Sequence, residues 1–156
     1  MALHELHRSE NELNARLLHV SDRHKADHEV FYGARDLARW SRDHVRLLAE
    51  AGKRYGLDLD ADPRDDSGLL ADVRQKAGEL VGKRPEPGVL LLRDLRAVHK
   101  TAVGVSVDWE VIAQAAQALQ DRELLGLAQR CHPDTLRQAR WANALIKVMS
   151  PQVLLS

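Results

Sequence analysis

The amino-acid sequence predicts an all-α protein built as an antiparallel four-helix bundle. Ala, Leu, Arg, Glu and Gln, which favour helices, are abundant in the 156 residues, whereas aromatic residues make up only 4%. Apolar residues recur at helical spacing through four long segments, and alternating strand patterns extend over only a few residues. Because this length suits one hydrophobic core, a single domain is expected over residues 1–156.

The first two helices are predicted over residues 3–26 and 28–55. Asp27 is the expected N-cap of the second helix and Gly56 its C-cap. The apolar stripe of the first helix is Leu3, Leu6, Leu13, Leu17 and Val20. Two polar residues, Glu10 and His24, fall on that stripe. The buried face expected for the second helix is Leu37, Ser41, His44, Leu48, Ala51 and Tyr55.

A long connection and two further helices are predicted in the second half. An acidic loop at 57–68 leads to a short helix at 69–82, closed by Gly82 and a proline-rich link at 84–88. The third long helix is expected over 89–119 and the fourth over 121–148, where Pro133 is expected to kink or break the helix. The stripe of the third helix is Leu91, Leu95, Val98, Ala102, Val105, Trp109, Ile112 and Leu119. The inner face of the fourth is Leu124, Leu127, Cys131, Gln138, Trp141, Leu145 and Met149.

Two helical hairpins joined by one long crossover form the ferritin-like topology. Residues 3–13, Leu-His-Glu-Leu-His-Arg-Ser-Glu-Asn-Glu-Leu, resemble the opening of the bacterial stress-response branch of ferritin-like proteins. The segments 43–56 and 116–125 resemble the same branch. The resemblance implies a helical bundle with a di-metal centre in its core, and it places Glu10 at the position of the carboxylate on the first helix.

A ferritin-type di-metal centre requires two Glu residues and two Glu-x-x-His pairs that project into the core. None of the eight histidines follows Glu or Asp by three positions. In the alignment that the resemblance implies, Val105 occupies a ligating Glu position, and Gln138 lies nearest another carboxylate position. Glu10 and His44 are therefore the remaining candidates, and the di-metal site is expected to be lost.

Two interpretations of Glu10 and His44 remain open. They form a buried polar pair completed by Ser41 or Gln138, or they belong to an altered site for iron, manganese or zinc that recruits His24, His28 or His99. His24 and His28 also have the i, i+4 spacing of a zinc clamp. No catalytic residue is predicted, because Glu10 and His44 lack a nucleophile or second acid, and Cys131-His132 lacks an orienting third group.

The numbers of basic and acidic residues limit the classes of function that we expect for this protein. Lys plus Arg and Asp plus Glu both number 23, which argues against a general affinity for nucleic acid or for anionic membranes. The single cysteine and the absence of a signal-peptide pattern predict a cytoplasmic protein. We therefore expect a non-enzymatic interaction or structural protein, acting as a homodimer or with a protein partner. The alternatives are a metal-binding protein of oxidative-stress defence or metal handling, and a helical adaptor of a larger enzyme.

Overall fold

The computed structural model describes residues 1–64 and 85–156 and contains four long helices in these ranges. They are α1 (Ala2–Arg23), α2 (His28–Lys53), α3 (Pro87–Ala118) and α4 (Arg122–Leu154). The described residues form no strand, so the prediction of an all-α four-helix bundle is confirmed. The short helix predicted at 69–82 and its Gly82 lie outside the described residues. None of the described helices combines the length and apolar character needed to cross a membrane.

The relative directions of the helices follow from pairs of side-chain contacts. Between two contacting helices, the residue numbers of one helix rise as those of the other fall. These contacts are Glu10–His44 and Ser21–Phe31 between α1 and α2, Ser9–Asp108 and His24–Asp94 between α1 and α3, and His99–Ala139 and Ser106–His132 between α3 and α4. Each of these helix pairs is antiparallel, so α2 and α3 run in the same direction. The end of α2 and the start of α3 therefore lie at opposite ends of the bundle, as the predicted single long crossover requires.

The described start of this crossover lies along α1. Gly56 adopts a positive φ of 70°, and the N–H of Leu57 donates to the carbonyl of Gly52, which reverses the chain at the end of α2. Asn11 and Asn14 then bind the backbone of Arg64: the Asn11 carbonyl accepts from its N–H at 2.8 Å, and the Asn14 amide donates to its carbonyl at 3.1 Å. These amides thus fix the path of the crossover on α1.

The core consists largely of the predicted apolar stripes, which lie buried between the helices. Two predicted core positions are wrong. Tyr55 is 39% exposed and Leu119 is 67% exposed. Both residues lie beyond the last residue of their helix, Lys53 for α2 and Ala118 for α3. The helical spacing that placed them on a buried stripe does not continue through the turns.

The helix ends show one confirmed cap and one error. The side chain of Asp27 accepts a hydrogen bond from the N–H of Val30, so the predicted N-cap of α2 is confirmed. However, α4 continues through both Pro133 and Pro151 to Leu154, six residues beyond the predicted end. The carbonyls left without an intrahelical donor belong to residues 129 and 147. Both of these residues lie on the exposed side of α4, where solvent can take the place of the missing donor.

Candidate functional site

The centre of the bundle contains a buried carboxylate that is bound from two other helices. Glu10 lies on the apolar stripe of α1 and is 0% exposed. Its Oε1 accepts a hydrogen bond from the indole Nε1 of Trp109 on α3 at 2.8 Å. The Nδ1 of His44 on α2 donates to the same oxygen at 2.8 Å. One carboxylate oxygen therefore joins α1, α2 and α3.

The fourth helix reaches the same centre through the other side of the imidazole ring. The Nε2 of His44 lies 3.3 Å from Oδ2 of Asp134 on α4, and the Cys131 side chain also contacts the ring. The edge of the His44 ring packs against Trp109, with ring centroids 5.8 Å apart and an interplanar angle of 84°. Asp134 is partly exposed and also accepts a hydrogen bond from Arg137. We call Glu10, His44, Trp109 and Asp134 the central layer.

His44 is a cation at neutral pH. Burial lowers the pKa of its imidazole, but attraction to the Glu10 carboxylate and hydrogen bonds with Cys131 and Glu10 outweigh burial and raise the pKa to about 11. An imidazolium carries a proton on both ring nitrogens. It can therefore donate to Glu10 and Asp134 at the same time, as the two distances require.

A second set of polar groups adjoins the central layer between α2 and α4. The amide nitrogen of Gln138 donates to the carbonyl of Leu37 and to the hydroxyl of Ser41, each at 2.9 Å. Three buried oxygens have no hydrogen-bond partner among the described residues: Oε2 of Glu10, Oγ1 of Thr135 and Oε1 of Gln138. Leaving a buried polar atom unpaired costs about 1–3 kcal/mol. This part of the core is therefore polar, and the described residues satisfy its hydrogen-bonding groups incompletely.

The donors present do not fit a ferritin-type di-metal centre. Val105 and Gln138 stand where the resemblance implies two carboxylates, and Gln138 is engaged by α2. Within residues 1–64 and 85–156, no group of three or more His, Cys, Asp or Glu side chains is placed to hold an ion. A valine and an amide at these two positions cannot supply the carboxylates that a pair of metal ions would need.

The structure places the other candidate donors away from the central layer. His24 caps the end of α1, about 21 Å from Glu10 along the helix, and its Nε2 lies 2.8 Å from Oδ2 of Asp94. His28 is exposed in the first turn of α2, where its ring packs edge-on against Tyr32. Because the turn between α1 and α2 separates His24 from His28, the two do not share one helix face. His99 donates from Nδ1 to the carbonyl of Ala139 at 3.0 Å.

Sequence reasoning identified Glu10, His44, Ser41 and Gln138, but it missed Asp134 and Thr135. Both follow Cys131 on α4 by three or four residues, so they share its inner face. That helical spacing is a usable signal, although Asp and Thr side chains ordinarily face solvent.

The central layer offers little access for a reaction. Cys131 is 1% exposed, Glu10 is 0% exposed, and the central-layer residue with appreciable exposure is Asp134. A nucleophile needs a base, an orienting group and room for a substrate. The geometry therefore supports a structural use of these groups better than a catalytic one. Compared with models of protein families, with curated proteins and with solved structures, the chain matches none.

Proposed function

We propose that this protein is a non-enzymatic, ferritin-like helical bundle of the cytoplasm that acts as an interaction or structural protein. In this proposal, the central layer holds the four helices together at the place where ferritin-like proteins carry a di-metal centre. The observation that carries the proposal is the double use of Glu10 Oε1, which His44 and Trp109 both bind at 2.8 Å. We further propose that the protein works as a homodimer or with a protein partner.

The charges of the central layer support this proposal. A carboxylate buried without a counter-charge is strongly destabilising, and a metal ion is one way to neutralise it. Here the imidazolium of His44 supplies the positive charge between Glu10 and Asp134. To bind a metal, His44 would have to release a proton from a ring nitrogen whose N–H already has a carboxylate acceptor, so metal binding would compete with the protein's own ion pair.

A second candidate function is metal binding with an altered ligand set, in oxidative-stress defence or metal handling. The observation that favours it is the unpaired Oε2 of Glu10, a fully buried carboxylate oxygen without a partner among the described residues. Iron, manganese and zinc all accept carboxylate and imidazole ligands. In this alternative, Glu10 and His44 would be the first ligands.

Elemental analysis separates the two proposals. The purified protein is incubated with iron, manganese or zinc, desalted and analysed for bound metal, next to the variants Glu10→Gln and His44→Gln. The structural proposal expects no stoichiometric metal in any sample and loss of stability in both variants. One ion per chain in the wild type, lost in both variants, would support the metal-binding alternative. His24→Gln is the matched control, since it removes a paired imidazole outside the central layer.

A further inference from the structure

Helix α3 is apolar on two faces, unlike α2. Its inner stripe is buried, but Val103, Val107 and Val111 form a second stripe at intervals of four residues on the outside. These valines are 44–52% exposed. From residue 35 onward, the exposed face of α2 instead carries charged side chains: Arg35, Asp36, Arg39, Asp43, Arg46, Glu50 and Lys53. A helix that is apolar on both faces is typical of one that packs on both faces.

Small residues extend the outer stripe of α3 and leave it open to close approach. Gly104 is exposed, and a Cβ atom placed on it would meet no atom within 4 Å. Ala115 is also exposed and continues the four-residue spacing of the valines. Short side chains let the backbones of two helices approach closely, and β-branched valines lose little conformational freedom on packing. We call Val103, Gly104, Val107, Val111 and Ala115 the outer valine stripe.

The charges beside the outer valine stripe are divided along the helix. The N-terminal part of this face carries Arg96 and Lys100, whereas Glu110 lies toward the C-terminal end. Arg96 and Lys100 form no ion pair with the described residues. The helix dipole has the same signs as these side chains, positive at the N-terminus and negative at the C-terminus. The face is therefore positive toward its N-terminal end and negative toward its C-terminal end.

We propose that a second copy of this chain binds the outer valine stripe, with the two α3 helices antiparallel and crossing at Val107. The three valines of the stripe are symmetric about this residue, because Val103 and Val111 lie four positions to either side. A twofold axis at Val107 places Val103 of each copy against Val111 of the other, as a self-complementary interface requires. The interface rests on the proposed function as an interaction protein and names its partner.

The charges select the antiparallel arrangement. With the axis at Val107, Lys100 lies opposite position 114 of the second copy, one helical turn from Glu110 on the same face. Lys100 and Glu110 can therefore pair across the interface, and the positive half of each face meets the negative half of the other. A parallel arrangement would bring Lys100 against Lys100 and would align the two helix dipoles.

The size of the stripe predicts a weak dimer. The face from Arg96 to Ala118 is about 33 Å long, and a helix is about 10 Å wide. Such a contact buries less than the roughly 1,600 Å² of a standard stable interface, so we expect a dissociation constant in the micromolar range. Association therefore has to be measured over a concentration series that extends to a few hundred micromolar.

Sedimentation equilibrium with Val107→Glu tests the interface. The wild type is expected to dimerise reversibly, and Val107→Glu to weaken association by about a hundredfold, because it buries two like charges at the axis. Gly104→Leu is a second disrupting variant, because a Cβ atom at this position meets no atom within 4 Å in the monomer and the larger side chain would hold the two helices apart. Val148→Glu is the matched control, since Val148 is an exposed valine (61%) on α4 and its replacement is expected to leave association unchanged. Circular dichroism of each variant verifies that it is folded.

A charge exchange tests the antiparallel arrangement. Lys100→Glu and Glu110→Lys are each expected to weaken the dimer, and the double variant to restore it. Mixed Val103→Cys and Val111→Cys proteins are expected to crosslink to each other more readily than either does to itself.

A monomer at every concentration, or a dimer that Val107→Glu leaves intact, would overturn this interface. Neither result bears on whether the central layer binds metal. The elemental analysis therefore tests the proposed function independently of the dimer.

Discussion

Two carboxylate–imidazole pairs join α1 to its neighbours, and they differ in how far each depends on its partner. Glu10 and His44 meet at 2.8 Å in the middle of the bundle, where their side chains are 0% and 3% exposed. His24 and Asp94 also meet at 2.8 Å, near the end of α1. The guanidinium of Arg23 lies 3.5 Å from the second oxygen of Asp94, so this carboxylate has a further cation nearby.

The difference shows that the surroundings of an ion pair decide what it contributes. If His24 is lost, Asp94 keeps the guanidinium of Arg23, although its own side chain is buried. If His44 is lost, Glu10 stays buried, and the Trp109 indole is its remaining donor among the described residues. Breaking a buried pair from one side leaves an uncompensated charge, which costs far more than the intact pair contributes.

The largest expected effect is that of breaking the central pair. Glu10→Gln and His44→Gln preserve most of the side-chain volume, and each is expected to lower the free energy of unfolding by about 3–5 kcal/mol. Urea unfolding followed by circular dichroism measures this loss. A loss below about 1 kcal/mol in both variants would show that the pair is not the main polar support of the core.

The pH dependence of stability sharpens the comparison, because the fold raises the pKa of His44 from its ordinary 6.5 to about 11. The stabilisation from its positive charge is fully present below pH 6.5 and is lost as the pH rises toward 11. We expect the free energy of unfolding of the wild type to fall across this range, and that of His44→Gln to fall less. Parallel pH profiles for the two proteins would contradict the raised pKa.

A smaller effect is expected at the end of α1. His24→Gln leaves Arg23 beside Asp94, so we expect it to lower the free energy of unfolding by about 1 kcal/mol. The measurement is the same urea titration used for His44→Gln. Equal losses in the two histidine variants would remove the distinction between the central pair and the end pair.

The smallest expected effect is a gain of stability at Gln120. It would give a more stable protein in which the severe variants can be studied. Gln120 has a φ of 55° in the turn between α3 and α4, a conformation that favours glycine. Gln120→Gly is expected to raise the free energy of unfolding by about 0.5–1 kcal/mol, because it removes the left-handed strain. Thermal unfolding measures this gain. A lower melting temperature would show that the Gln120 side chain compensates for its backbone.

The sequence predicted the four helices because their apolar spacing is local, and it identified Glu10 and His44 because they interrupt apolar stripes. It could not show that Trp109 donates to Glu10, since that contact depends on how α1 and α3 rotate against each other. For a similar reason, the predicted range of 121–148 for the fourth helix ended too early, and α4 continues through Pro151. Its missing hydrogen bond matters less on the exposed side of a helix, and the exposed side of α4 is set by packing.

The spacing of apolar residues could not predict the buried polar face of α1, which lies under the start of the crossover. His7, Asn11 and Asn14 are buried, although side chains of these types ordinarily face water. Their partners are backbone groups of Asp60 and Arg64, some 50 residues away in the chain. An apolar pattern contains no information about such contacts, because backbone groups are the same at every residue.

The most direct test of a structural central layer is a double-mutant cycle of Glu10→Gln and His44→Gln in metal-free protein treated with a chelator. The double variant replaces both charges with amides, so neither partner is left as an unpaired buried ion. We expect it to be no less stable than either single variant, which corresponds to a coupling energy of about 3 kcal/mol or more. Additive losses, or a wild type whose stability the chelator removes, would contradict the central layer as a support built from protein groups alone.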